Sequence, residues 1–373
     1  MILVTGAGFA GLKTIQALRR EGCLVPITLL APHLETFYFP ALIWAPAGLY
    51  QLGDLQFSLE KFIKRYNVNY LAGHIIGLDA KNQCLKTNFG EIEYEKLIIA
   101  TGGETSKKFL GLEHVCIPDR YVAVASMMQK LAELKSGTIS FGFSKNADDS
   151  SATRSEVLLE FLFGIDTLLR RQGRRKNFKI QLFSDAFSLA TRGGNQTALF
   201  IQKEIDRRNI QFFLGRKIIA FEKDKIHMED GDLKSDLTVF LPELIGPSWE
   251  SDLSLSKTRF IHADINYRAK GFEKTVYVAG DVGCFPGPDW ESKQAHMADI
   301  HSQTVAKNLV ADLLGKEATH TFRREFICIL DTLDSGILMF QNESKCFAFQ
   351  NKMLHWAKRL FVWTYLLQRR LQI

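Results

Sequence analysis

The feature that most constrains how this chain can fold lies at its start, in MILVTGAGFAG. Ile2 to Thr5 read as a short buried strand running into Gly6-x-Gly8-x-x-Gly11, with a helix following from Leu12 to Arg20. Each glycine has its own task. Gly6 permits a tight turn, Gly8 lets the backbone approach a pyrophosphate, and Gly11 lets the helix pack closely on the strand. The diphosphate of a dinucleotide would rest on the unpaired N–H groups of the helix N-terminus, beside Ala10. A glycine-rich turn without a ligand is the alternative, and the strand placed directly before the motif weighs against it.

At 373 residues the chain suits two α/β units with extra elements rather than one core. A second strand–helix–strand pattern runs through Gly137–Gly142, Arg154–Arg171 and Phe178–Ser184, then a helix Gln196–Arg208 and a strand Gln211–Leu214. Between the two patterns, residues 67–100 show short alternating runs broken by turn residues, which predicts a small antiparallel meander. The meander ends in KLIIA and the turn Thr101-Gly102-Gly103. Near residue 275 the apolar run TVYVAG leads into Gly280-Asp281, and a helix is predicted from Ser292 to Leu314.

The net charge of +6 is concentrated at one end. From Ser344 onward Lys345, Lys352, Lys358, Arg359, Arg369 and Arg370 stand without any Asp or Glu, so the body carries no net charge. That balance excludes a nucleic-acid-binding body. Interleaved with those cations are Phe347, Phe349, Trp356, Phe361, Trp363 and Tyr365, a composition that predicts an amphipathic helix at a membrane interface. Packing of that helix on the body or on a dimer partner is the alternative. No apolar run approaches the roughly 20 residues of a spanning helix. A strand starting at residue 2 leaves no room for a signal peptide, which predicts a peripheral protein on the cytoplasmic side of a membrane.

Six scattered cysteines (Cys23, Cys84, Cys116, Cys284, Cys328 and Cys346) form neither a CxxC pair nor a zinc spacing, and read as buried or redox-active thiols. His33, His296, His301 and His355 likewise lack metal-ligand spacing, so no metal site is expected.

GAGFAG, LIIATGG and VYVAGD, in that order, resemble the motifs of the two-dinucleotide-fold flavoproteins. The resemblance implies an α/β fold with two Rossmann-like units, a discontinuous FAD domain and the amphipathic helical tail. FAD would be held by Gly6, Gly8, Ala10, Gly11, Ile75, Thr101, Gly102, Gly103, Gly280 and Asp281, with Asp281 meeting the ribityl hydroxyls. The implied division is 1–115 and 251–320 for the FAD domain, 116–250 for the second unit and 321–373 for the tail segment. Within these flavoproteins, TFYFPALIWAPAGLY, VCIPDRYVAVASM, the helix carrying Lys293 and FICILDTLDSGILMF resemble the sulfide:quinone oxidoreductase and flavocytochrome c sulfide dehydrogenase branch. That branch implies Cys328 and Cys116 as catalytic thiols, Lys293 beside the isoalloxazine, a quinone acceptor, a sulfide or other small reduced donor, and a possible homodimer. A small buried hydrophobe remains the other reading of Cys328, and a linker residue that of Cys116.

Two departures matter. The branch's middle cysteine falls near Ser150, and a serine cannot form a persulfide. The second unit's turn, SFGFSKNADDSSATRSEV, has no glycine after Gly142 and carries Asp148 and Asp149, which would repel a pyrophosphate. Its NAD(P)H site is therefore expected to be lost. A type II NADH:quinone dehydrogenase-like enzyme and a flavin-binding module without sulfur chemistry stay open as alternatives. The second strand ends in Ala31 rather than a carboxylate, leaving Glu35 as the nearest candidate for the adenosine ribose.

Overall fold

A computed structural model describes every residue except Ala190, Thr191 and Ile373; of Leu52, Arg369, Leu371 and Gln372 only the backbone is considered. Two parallel sheets organise the chain. The first has five strands in the order Val276–Val278, Lys96–Ile99, Ile2–Thr5, Ile27–Ala31 and Val68–Ala72. Ile2, Leu3 and Val4 are wholly buried, as continuous apolar runs must be where helices or strands cover both faces of a sheet. The fingerprint helix spans Phe9–Arg20, starting at Gly8 rather than at Leu12, because Gly8 is the last extended residue and Phe9 already has helical backbone. It packs along the helix Ala295–Leu313, where Ser302 Oγ donates to Ala10 O at 2.9 Å.

The meander begins later than expected. Val68–Ala72 pairs in parallel with Ile27–Ala31, entered from the short helix Glu60–Tyr66, so it completes a strand–helix–strand crossover. The antiparallel part is Ile75–Asp79, Cys84–Thr87 and Gly90–Glu93, with Glu250–Ser251 added in parallel to Ile75–Asp79. Alternation over five residues could not separate these cases, since both strand types satisfy it.

The second sheet runs Gln211–Leu214, Phe178–Ser184, Gly137–Phe143 and Leu237–Leu241, all parallel. Its crossover helix, Ser155–Arg171, is the hub of the molecule. It lies against the second sheet, the 3-10 segment Phe39–Ala47 and the C-terminal sheet, so even Glu160 and Asp166 on it are buried. The C-terminal sheet is an antiparallel meander of Glu325–Asp331, Gly336–Asn342 and Cys346–Asn351. The tail helix Met353–Gln372 follows directly and packs back on it.

Candidate active site

The three fingerprint glycines meet different surroundings. Gly6 has φ +98°, and a Cβ there would fall 2.4 Å from Ala100 O. A Cβ on Gly11 would lie 1.9 Å from Gly6 O, so the close approach of helix to strand excludes any side chain. Around Gly8 nothing lies within 4 Å of the Cβ position, and the helix N-terminus has no side-chain cap. Space and unpaired donors thus coincide at Gly8. An open cleft lies beside it, walled by Phe9, Tyr38, Phe57 and Tyr365 of the tail helix.

Two adjacent strands and the one at the opposite side of the sheet deliver the remaining positions to the same end of the first sheet. Ala100, at the end of Lys96–Ile99, touches Gly6 and leads into Thr101-Gly102-Gly103. Gly280, just after Val276–Val278, has φ +75° and would place a Cβ 2.9 Å from Ala10 Cβ. Asp281 follows it. Its carboxylate has no hydrogen-bond partner among the described residues, and burial pushes it up against the attraction of Lys293, His301 and Arg154. Ile75 sits just past the last strand, Val68–Ala72, partly buried at the start of the meander. An uncapped helix end, room at Gly8 and an unpaired Asp281 fit a dinucleotide whose diphosphate and hydroxyls would supply the missing partners.

Lys293 is already engaged. Its Nζ donates to Gly283 O at 2.6 Å, lies 3.6 Å from the Asp149 carboxylate and stands 3.8 Å over the Phe260 ring. It therefore links the Gly280-Asp281 turn to the second unit. Glu35 is exposed in the strand Glu35–Phe37, where its carboxylate accepts the Gln56 side-chain amide across an antiparallel pair with Gln56–Ser58. At the end of the second strand, Ala31 O instead accepts the Tyr70 hydroxyl at 3.0 Å.

In the second unit the corresponding turn is filled by its own side chains. The Lys145 amide donates to Asp185 Oδ1 at 2.8 Å, and the Asn146 amide to Thr153 Oγ1 at 3.2 Å. Asn146 Oδ1 accepts the amides of both Asp148 and Asp149 at 3.0 Å, and Asp149 Oδ1 takes that of Ser151 at 3.0 Å. Five amides of that turn are thereby taken, although the helix that follows, Ser155–Arg171, has no side-chain cap.

All six cysteines are free. Cys116 is buried at the edge of the second sheet, its amide donating to Thr238 O at 2.8 Å, and burial raises its thiol. Cys328 lies mid-strand in Glu325–Asp331 and keeps part of its surface open. Burial pushes its thiol well above that of a free cysteine, with Glu160 and Glu156 adding to the rise and Lys358 and Arg192 opposing it. Ser150 Oγ donates to Asp289 O at 2.7 Å, and Arg192 holds Ser150 O at 2.6 Å. Cys284 is partly buried in the two-residue strand after Asp281.

Sequence reading missed the charges around Cys328. Glu160 pairs with Lys358 of the tail helix and also accepts the Asp331 amide at 2.8 Å. Asp331 in turn holds His355 Nδ1 at 2.8 Å. The signal was present in LLEFLF, a carboxylate inside an otherwise apolar helical run. His301 is also more enclosed than a surface histidine: it sits among Tyr267, Phe285 and Phe322, and both ring nitrogens lack hydrogen bonds among the described residues.

No family model matches the chain. The solved sulfide:quinone oxidoreductase of Aquifex aeolicus superposes with a TM-score of 0.88 at 19% identity, covering 100% of this chain and 91% of that one. At that identity the likeness shows the fold alone. The water-forming NADH oxidase of Lactobacillus brevis also superposes, at 0.70 with 14% identity over 91% of this chain and 75% of that one. By sequence, the chain is 23% identical over 379 residues to the type II NADH:quinone oxidoreductase of Staphylococcus haemolyticus, across 95% of this chain and 93% of that protein. Within this fold, Gly6–Gly11 and Asp281 lie beyond the C-terminal ends of the first sheet's strands, and residues 144–153 beyond those of the second sheet.

Proposed function

We propose that the protein is an FAD-dependent, quinone-linked oxidoreductase that takes its electrons from sulfide or another small sulfur donor at Cys328. The observation that carries the choice of donor is the turn 145–151, five of whose amides are occupied by Asp185, Thr153, Asn146 and Asp149. A nicotinamide dinucleotide would have to displace those bonds and then approach Asp148 and Asp149. Bound FAD would supply an acceptor for an electron pair that can be passed on to quinone.

The chain's own residues then have definite tasks. The Gly8 amide edge and helix N-terminus would bind the diphosphate, and Asp281 would orient hydroxyls. Only a thiolate is nucleophilic, so Cys328 must lose its proton before it can hold sulfur. Joining Cys328–S⁻ to HS⁻ would form the S–S bond of a persulfide, releasing one proton and two electrons that bound FAD would accept. With a serine at 150, a two-thiol route through a cysteine at that position is closed.

The tail helix supports a membrane-bound acceptor. Met353, Trp356, Leu360, Trp363 and Leu367 are exposed at helical spacing, with Phe361 beside them. Among the described residues no helix is long and apolar enough to cross a membrane, so this face suits lying in the interface.

A second reading, NADH as donor, is favoured by the names of the sequence relatives. Anaerobic titration of the oxidised flavin separates the two. Sulfide is expected to bleach the flavin band while NADH leaves it; bleaching by NADH alone would replace the first reading with the second.

A further inference from the structure

The N-terminus of the fingerprint helix is braced by a residue from the far end of the chain. Phe9 is the first helical residue after Gly8, and its ring lies 5.7 Å from that of Tyr38 and 6.0 Å from that of Tyr365. Tyr38 and Tyr365 are themselves 4.8 Å apart, so the three rings form one cluster along the cleft beside Gly8. Tyr365 stands on the inner stripe of the tail helix, with the buried Val362 and Leu366. Tyr38 is buried, and its amide donates to Leu55 O at 2.8 Å. The tail helix is docked on both sides of Tyr365. Before it, Lys358 pairs with Glu160 and donates to Ile329 O at 2.8 Å, and His355 Nδ1 lies 2.8 Å from the Asp331 carboxylate. After it, Arg370 reaches Asp54 at 3.4 Å, next to the Leu55 carbonyl that holds Tyr38.

The first amides of a helix have no acceptor within it. Here the ladder begins with the Leu12 amide on Gly8 O at 3.2 Å, so those of Phe9, Ala10 and Gly11 are the ones a diphosphate would meet. Their direction is set by how the first turn is held. Ala10 is fixed from within, its carbonyl accepting Ser302 Oγ and its methyl lying against Gly280. Phe9 is fixed from the cleft side, by Tyr38 and Tyr365. Of the three rings only that of Tyr365 belongs to the tail, so the cleft-side brace is complete only when that helix is docked.

We propose that the tail helix latches the cofactor cleft. Tyr365, packed on Phe9 and Tyr38, is a positioning residue that steadies the amides on which the FAD diphosphate rests, so flavin is held firmly only while the tail is docked. Such coupling is reciprocal, and bound flavin must therefore steady the tail. Both directions are measurable without turnover. Every chain tested carries Cys116→Ala, so that no bond to that thiol can hold the flavin. Flavin release is followed by fluorescence after dilution of the loaded protein. Tyr365→Ala is expected to release it about tenfold faster, the scale of one aromatic pair lost. Tyr365→Phe, which keeps the ring, should stay near the parent rate. In the other direction, trypsin cleavage within Met353–Gln372, scaled to cleavage elsewhere in the chain, should be severalfold slower with flavin than without. Tyr365→Ala should erase that difference, whereas a merely structural role would loosen the tail equally in both forms and leave the difference in place. The proposal is overturned by a Tyr365→Ala release rate equal to the parent's, by Tyr365→Phe releasing flavin as fast as Tyr365→Ala, or by a parent tail cut equally fast with and without flavin. If Tyr365→Ala fails to fold, the tail comparison in the parent chain decides. The proposal rests on Gly8 as the seat of the diphosphate: a Gly8→Ala protein that keeps full flavin overturns both, whereas a flavin unmoved by sulfide defeats only the choice of donor.

Discussion

Gly8 and Gly11 stand three residues apart and differ in what they exclude. Gly11 excludes a Cβ because Gly6 O already occupies its place at 1.9 Å. Gly8 has open space around it. Gly11→Ala should therefore act on the fold, lowering stability by ~3 kcal/mol or more as an overpacked contact does. Gly8→Ala should act on the ligand: the urea midpoint stays close to wild type while the flavin bound after purification falls severalfold. Absorbance at the flavin band with a denaturant titration checks both, and a Gly8→Ala protein that keeps full flavin would detach Gly8 from the cofactor. The spacing of these glycines was readable because the motif is local. The Glu160–Lys358 pair was not, because its members lie 198 residues apart and only the packed fold opposes them.

At the scale of elements, the tail helix is two-faced. His355, Val362 and Leu366 turn inward and are buried, with Lys358 largely so, while Trp356, Phe361 and Trp363 face outward. The amphipathic helix was evident from composition, but the inward lysine reads as one more surface cation until Glu160 is placed opposite it. Deleting the segment from Ser344 would consequently remove buried residues of the core together with the outer face, and is a poor probe of membrane binding. Substituting only the outer face, Trp356→Ser with Phe361→Ser and Trp363→Ser, should cut co-sedimentation with anionic vesicles about tenfold or more and leave the urea midpoint nearly unchanged. Undiminished sedimentation would remove the interfacial role. The second unit's turn was legible from its missing glycines. Its closure by the Asn146 side chain was not, since a side chain that caps backbone amides leaves no spacing signature.

For the molecule as a whole, the buried charges make stability depend on pH. The Glu160 carboxyl is raised by burial to about 7 from an ordinary 4.5, so the folded state binds its proton more tightly than the unfolded chain. That contribution is complete below about pH 4.5 and is lost as pH rises through 7, amounting to roughly 3 kcal/mol. Lys358, raised above its usual value, changes nothing in that window. Urea midpoints at pH 5.5 and 8 should thus differ less in Glu160→Gln than in wild type; an equal difference would assign the pH dependence to other groups. The two-sheet plan was visible in the sequence because each strand–helix–strand unit is contiguous. The exception, Val68–Ala72, joins the first sheet through a crossover that five alternating residues could not announce.

The order in which the Glu160–Lys358 pair is made has a consequence during synthesis. Glu160 leaves the ribosome before Lys358, so both parallel sheets can form while that carboxylate still lacks its cation. A chain interrupted short of the tail helix would carry the Gly6–Gly11 turn but an uncompensated carboxylate on its central helix, and the charge would be balanced only when the last helix has folded back.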